Sequence, residues 1–239
     1  METLERIQKL ISISGHCSRR EGENLVEQGR VLINGEVATV GQKASFKDQI
    51  IVDGIPIFKP DLKYFLLNKP KGYVTSLKRQ RDEKIISDLM FEEETLFPIG
   101  RLDKDTSGTI IMTNDGELTN KLCHPRYEVE KVYRVRINTP LSSKEMGFLN
   151  SKNVILEGKQ SLQKVQQVDT KSYVVVLKQG INHHIKKLFA LVEKNVVNLT
   201  RIEFAGLTHV GKVEKGQYRR LKKAEVLWLK SDFKKINKE

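Results

Sequence analysis

The chain carries only two cysteines, Cys17 and Cys123, and no Cys-x-x-Cys pair, so it has neither a disulfide framework nor a thiolate zinc site and is expected in a reducing compartment. No apolar run approaches the roughly 18 residues that a membrane span needs. The opening Met1-Glu2-Thr3-Leu4-Glu5-Arg6 also lacks the basic-then-apolar layout of an export signal. Together these absences predict a cytoplasmic protein without membrane contact. There is no glycine-rich phosphate loop, internal repeat or low-complexity tract, which leaves no place for a nucleotide cofactor. No second acid stands at a recognisable motif, and this argues against a hydrolase that works with paired carboxylates.

What remains is a soluble chain of 239 residues, 38% hydrophobic and 30% charged, long enough for one or two cored domains. Its formal charge of +12 suggests a polyanionic partner, because every phosphate neutralised by Lys or Arg releases counterions. The excess is uneven. Residues 1–60 hold eight basic and eight acidic side chains, whereas residues 212–239 alone hold ten basic and four acidic ones. That last segment is either a nucleic-acid contact or a solvated face.

Residues 1–58 read as a separate module of two helices and a small sheet. Leu4, Ile7 and Ile11 recur at helical spacing, and Ser18-Arg19-Arg20-Glu21 is a capping box that opens a second helix ended by Gly29. Asn34-Gly35 and Asp53-Gly54, each between apolar residues, signal two hairpins. Arg19 and Arg20 fall in the first helical turn, where the macrodipole disfavours cations; a bound phosphate would relieve that conflict, although surface arginines that serve solubility would look alike.

Phe58-Lys59-Pro60-Asp61 is a short linker, after which Tyr64-Phe65-Leu66-Leu67 starts a second domain, expected over 62–230 with a basic tail at 231–239. Asn68-Lys69-Pro70-Lys71-Gly72 is a turn of a common type. Gly100-Arg101-Leu102-Asp103 then runs into Thr106-Ser107-Gly108, setting one carboxylate on a loop held between two turns, ahead of a buried strand at 109–112. An Asp in such a turn is either a cap or a reactive acid. His124 precedes a proline in a turn, which suits a structural role. In Lys131-Val132-Tyr133-Arg134-Val135 strand alternation puts Tyr133 and Val135 on one face, where Tyr133 is either core or a stacking surface. In His183-His184-Ile185-Lys186-Lys187-Leu188 the apolar stripe runs through Ile185, Leu188 and Val192, and Lys186 lies at its edge, able to face a cleft. The adjacent His pair does not form a metal site, because side chains one apart on a helix diverge.

GRLDKDTSGTIIMTNDGEL, KVYRV and the NKPxG turn together resemble the pseudouridine synthases that act on ribosomal RNA, of the RsuA/RluB/RluE/RluF type. GHCSRREGENLVEQGRVLINGEVATVGQKAS resembles an S4 RNA-binding domain. The resemblance, which spans residues 1–225, implies an α+β chain: a small S4-type αββ module, then a catalytic domain with a mixed, largely antiparallel sheet flanked by helices. It implies a cofactor-free, metal-free isomerase that turns one uridine of ribosomal RNA into pseudouridine, with the large-subunit RNA slightly preferred. It assigns Asp103 as the catalytic acid, Tyr133 as the aromatic surface under the extruded base and Lys186 as the cation beside Asp103. Arg19, Arg20, Arg101 and Lys187 are the expected RNA contacts, and Leu188 a wall of the substrate pocket. The partner is ribosomal RNA or a pre-ribosomal particle, met by a monomer. HHIKK stands where the family has RQ-[V/I]-RR, so a planar guanidinium gives way to a point charge on a flexible stem. That departure leaves room for an alternative, a weak or inactive RNA-binding ribosome-assembly factor.

Overall fold

A computed structural model describes residues 3–80, 82–92 and 95–231. The basic tail expected at 231–239 lies, beyond Ser231, outside the described residues. The chain divides into two compact units: the first runs to Lys63 and takes in short pieces at 92–95 and 114–116, and the second holds the remainder from Tyr64 onward. Among the described residues no helix is long and apolar enough to cross a membrane.

In the first unit, β1 (Glu5–Arg6) pairs with β4 (Lys43–Ala44), and α1 (Ile7–Ile13) and α2 (Arg19–Glu27) pack on a four-stranded sheet of order β3-β2-β5-β6. Those strands are β2 (Val31–Ile33), β3 (Glu36–Val37), β5 (Ile50–Val52) and β6 (Ile55–Pro56). Ile7, Leu10, Ile11, Leu25, Val26, Val31 and Val52 form its core. Ser18 caps α2 by accepting from the Glu21 N–H at 3.4 Å. Both hairpin turns use positive φ at their two central residues, Asn34 and Gly35, then Asp53 and Gly54, as a type I′ turn demands. Leu4 departs from its expected place: α1 begins at Ile7 because Glu5 and Arg6 are used by the pairing with β4, and Leu4 is left 60% exposed.

The second unit is built on a nine-stranded sheet. Its main path runs β13 (Gln163–Asp169), β14 (Ser172–Leu177), β10 (Lys131–Ile137), β15 (Val196–Phe204), β9 (Ser107–Thr113), β7 (Tyr64–Lys69) and β17 (Tyr218–Arg220). Two short strands join at the side, β8 (Phe97–Pro98) on β9 and β16 (Leu207–Thr208) on β15, and a separate hairpin joins β11 (Ile155–Leu156) to β12 (Lys159–Gln160). Only the β9–β15 junction is parallel, so the sheet is mixed and largely antiparallel. All six residues of β7 are buried, as a strand covered on both faces requires.

Helices α4 (Ser143–Leu149) and α5 (His184–Ala190) contribute Leu149, Ile185, Leu188 and Phe189 to a core with Val135, Tyr173 and Val175. Helices α3 (Gly116–Cys123) and α6 (Lys223–Lys230) contribute Leu118, Leu122 and Leu229 to a second core with Leu66, Ile111 and Phe204. A third gathers Phe65, Leu67, Leu102, Ile110 and Met112 behind the loop that carries Asp103.

The parallel junction makes one glycine obligatory. Gly108 sits at φ +116 opposite Arg201, and a Cβ there would lie 2.1 Å from the Arg201 carbonyl oxygen, a backbone atom that cannot swing away. Gly147 is the contrasting case, in mid-helix with ordinary φ and open space around its Cβ position. Gly108→Ala is therefore expected to cost about 3 kcal/mol or more, and Gly147→Ala to stabilise by about 0.5–1 kcal/mol. Denaturant unfolding of both variants checks this, and equal effects would be incompatible with the β9–β15 geometry.

Candidate active site

Asp103 lies on the 100–106 loop, which is stitched on several sides to the segment after β7. Lys69, at the end of β7 and fully buried, donates from Nζ to the carbonyls of Asp103 (3.0 Å), Thr106 (2.8 Å) and Pro70 (3.2 Å). Thr75 Oγ1 donates to Leu102 O at 2.6 Å and accepts from Leu102 N at 3.2 Å, while Gly72 N donates to Lys104 O at 2.7 Å. Burial pushes the Lys69 ammonium down to about 8, and the negative charges of Asp103 and Asp105 resist that shift. The carboxylate of Asp103 is half-buried, and its Oδ2 lies 3.3 Å from His183 Nδ1.

Asp103 stands on the wall of a cavity of about 270 Å³. Arg101, Tyr133, Lys131, His183, His184, Lys186, Arg201 and Phe204 also line it. The sheet register explains this gathering. Tyr133 on β10 faces Arg201 on β15, Arg201 faces Gly108 on β9, and Gly108 faces Lys69 on β7, so four consecutive strands contribute one row. Lys131 faces Phe204, and the irregularity between Val132 and Tyr133 shifts the pairing so that both pairs reach the same cavity. Arg201 is 2% exposed; its Nε donates to Thr109 O at 2.8 Å and its guanidinium carbon lies 4.7 Å from the Phe204 ring centre. Lys131 donates to Val129 O at 3.0 Å, and burial, with Arg201 nearby, pushes it down to about 8.

Two of the expected placements are corrected. Lys186 does not meet Asp103: its Nζ lies 2.6 Å from Asp105 Oδ2, and that hydrogen bond holds the Asp105 carboxyl below its ordinary value. Asp105 is the more exposed of the two acids, and His183, in the left-handed conformation just before α5, occupies the approach to Asp103. Leu188 is fully buried in the core under α5 and does not line the cavity; Leu199 and Leu177 do. Lys187 is paired with Glu157, away from the cavity lining, whereas Arg101 is exposed on the lining. His124 lines the cavity and accepts from Arg126 N through Nδ1, as a turn residue does.

The histidine pair diverges. His184, 5% exposed, points Nε2 at Ser161 Oγ, 2.6 Å away. The Ser161 hydroxyl has one proton and donates it to Gln163 Oε1 at 2.7 Å, the Gln163 amide being oriented by its own donation to Leu149 O. Ser161 can therefore only accept from His184, which fixes the proton on Nε2 and leaves Nδ1 as an acceptor. Among the described residues no group of three or more His, Cys, Asp or Glu is placed to hold a metal ion.

In the first unit, Arg19 and Arg20 come together with Arg6, Lys9 and Lys43 around a second cavity of about 460 Å³, against Glu5 and Glu23. Five of the eight basic groups in residues 1–60, a stretch of net zero charge, thus gather at one place together with two acids.

A half-buried carboxylate in a cavity that a tyrosine also lines, with five lysines and arginines among apolar side chains around it, suits attack on a polyanionic substrate at one extruded unit. Residues 63–191 match the family model described as RNA pseudouridylate synthase, and residues 5–50 match that of the S4 domain. Ribosomal large subunit pseudouridine synthase B of Bacillus subtilis is 35% identical over 95% of this chain and 96% of its own. Dual-specificity RNA pseudouridine synthase RluF of Escherichia coli is 32% identical over 93% of this chain and 77% of its own. A crystal structure of a pseudouridylate synthase superposes with a TM-score of 0.68 at 27% identity, covering 94% of this chain and 99% of that one. The fold and site define an isomerase acting on RNA. The chain belongs to the RNA pseudouridine synthase family, with an S4 domain at its N-terminal end.

Burial, reinforced by the charge of Lys131 and resisted by Glu157, holds His184 down at about 4 against an ordinary 6.5. The unfolded chain takes up that proton as pH falls through 6.5, while the folded chain resists until about 4, so stability is complete above 6.5 and declines between these values. His184→Gln removes the dependence. Unfolding free energies at pH 7 and pH 5 should fall by about 2 kcal/mol more in the parent than in the variant, and parallel losses would show that His184 is not held neutral by burial.

Proposed function

We propose that this enzyme isomerises one uridine of ribosomal RNA, the large-subunit RNA in preference to the small, with Asp103 as its single reactive carboxylate. The observation that carries the proposal is the position of Asp103, on a loop clamped by Lys69 and at the wall of the cavity that Tyr133 also lines. The preference for large-subunit RNA is supported by the name of the Bacillus subtilis relative and by HPRYEVEKVYRV, residues 124–135. The ionised carboxylate either attacks C1′ of the ribose or removes an adjacent ribose proton. Both routes free the uracil, which turns and rejoins through C5 without cofactor or energy input.

Tyr133 supplies a flat apolar surface with one polar end for a base drawn out of its stack. Lys186, through Asp105, is a positioning residue for the loop rather than a direct partner of Asp103, and His183 is the group placed to orient the Asp103 carboxylate. Residues 1–58 hold structured RNA through Arg19 and Arg20, residues 62–230 carry out the chemistry, and Arg101 contacts the RNA beside the target. The enzyme works as a cytoplasmic monomer on ribosomal RNA or a pre-ribosomal particle. The inactive assembly-factor alternative has no support, since the acid stands in a formed cavity and the relatives named above are synthases.

Asp103→Asn should abolish pseudouridine formation and leave RNA affinity within about twofold, because one carboxylate carries bond breaking and little of the binding. Mapping of pseudouridine on ribosomal RNA, together with single-turnover rates, measures this; residual turnover above about a hundredth of the parent would sink the assignment.

Replacing both Arg19 and Arg20 with Ala should weaken RNA binding and flatten its dependence on salt by up to about two phosphate contacts, while turnover at saturating RNA barely moves. An unchanged slope of log affinity against log salt would place the RNA contacts elsewhere.

A further inference from the structure

Three buried side-chain polar atoms have no partner among the described residues: Thr106 Oγ1, His184 Nδ1 and Arg201 Nη2. All three residues line the cavity that holds Asp103. Orphaned buried groups are expensive, of order 1–3 kcal/mol each and more when charged, so their gathering around one cavity marks a place where a polar guest completes the hydrogen bonding. Arg201 is the costliest. Its side chain is buried, its Nε is spent on Thr109 O, and no carboxylate lies within ion-pair distance of it among the described residues. Lys131 adds a second, half-buried cation, while Asp105 is already engaged by Lys186. The cavity therefore favours a guest that accepts hydrogen bonds and carries negative charge.

We propose that Arg201 donates from Nη2 to a carbonyl oxygen of the target uracil and holds that base as an anion after its bond to C1′ has broken. This rests on the isomerase function above and extends it to a residue that contacts the base. When the N1–C1′ bond breaks, its electron pair leaves with N1 and uracil becomes a monoanion whose charge spreads to O2. At C1′ the lost bond is replaced by one to an Asp103 oxygen, or by a C1′–C2′ double bond where Asp103 has taken the C2′ proton. C5 then bonds to C1′, displacing the carboxylate or returning the proton to C2′; C5 loses its own proton and N1 gains one. Charge on the free base is greatest between these steps, which is when the fixed, buried guanidinium of Arg201 acts on it most strongly. Turning the ring about the line through N3 and C6 exchanges N1 with C5 and O2 with O4. One donor on a ring oxygen thus meets an oxygen before and after the turn. The N3–H stays in place, and the Nδ1 acceptor of His184 is its complement.

The test uses the full chain in single-turnover reactions on a ribosomal RNA fragment, with the target as uridine or as 5-fluorouridine, whose more acidic base needs less help as an anion; there C5 has no proton to lose, so water adds across C6 and N1 after C5 has joined C1′, and the rearranged hydrate is the product counted. Arg201→Met should slow the uridine reaction about ten- to a hundredfold, with RNA affinity within twofold, and the loss should shrink several-fold on 5-fluorouridine. Arg201→Lys should fall between. Equal losses on the two RNAs, which a purely structural arginine would give, overturn the proposal, as does a loss below threefold. If only the Lys variant folds, the same comparison applies to it. If neither folds, the parent decides: 5-nitrouracil, anionic at pH 7.5, must bind about tenfold more tightly than uracil, and equal binding overturns the proposal. A parent inactive on every ribosomal RNA uridine defeats the broader function first, and this inference falls with it.

Discussion

The buried ammonium of Lys69 ties the loop that carries Asp103 to the sheet. Removing a lysine charge from water costs several kcal/mol unless its hydration is replaced, and Lys69 has three protons to satisfy. It finds three carbonyls, two of them on the loop between Asp103 and Thr106. The exchange is local and directional, so the loop cannot drift without stranding the charge. The nearby carboxylates of Asp103 and Asp105 oppose the effect of burial on that charge, so the group that positions the loop backbone also feels the acids the loop carries.

The remaining chemistry is arranged by sheet register. Tyr133, Arg201, Gly108 and Lys69 lie opposite one another on consecutive strands although they come from four separate parts of the chain. The glycine lets β15 approach β9 closely at the point where the row passes Arg201. An interruption in the β10–β15 ladder turns a second pair, Lys131 and Phe204, toward the same cavity. Burial is what chiefly lowers the ionisation of Lys69 and Lys131, and the charge of Arg201 adds to it in both, whereas Asp103 and Asp105 work against it at Lys69.

Much of this was legible in the residues. The two turn-rich hairpins, the capped second helix, the buried strands and the aspartate between Gly100 and Gly108 are all local patterns, and each appears as expected apart from the start of α1. The pairing of Lys186 was not legible, because a lysine on a flexible stem can reach either of two acids two positions apart, and nothing in the string tells which one His183 will block. Leu188 was misplaced for a related reason: helical periodicity shows which side is buried but not whether the burial is core or pocket. Arg201 gave a weak signal, one arginine inside the otherwise strand-like NLTRIEF, and Lys69 gave another, a charged residue directly after a run of buried ones. Both needed the long-range register before they acquired a role.

β15 is the sole joint in the main path between β13-β14-β10 on one side and β9-β7-β17 on the other. Every residue of β13, β14, β10, β9 and β7 precedes it in the chain and only β17 of the main path follows, so during synthesis the three strands β13-β14-β10 and the pair β9-β7 can form while the edges of β10 and β9 still expose unpaired backbone groups. The parallel contact between residues 107–108 and 200–201 closes that gap across more than ninety positions, a pairing of high contact order that forms slowly. The cavity around Asp103 consequently stays incomplete until β15 has been made, and the edges of β9 and β10 are open to wrong pairing for that interval.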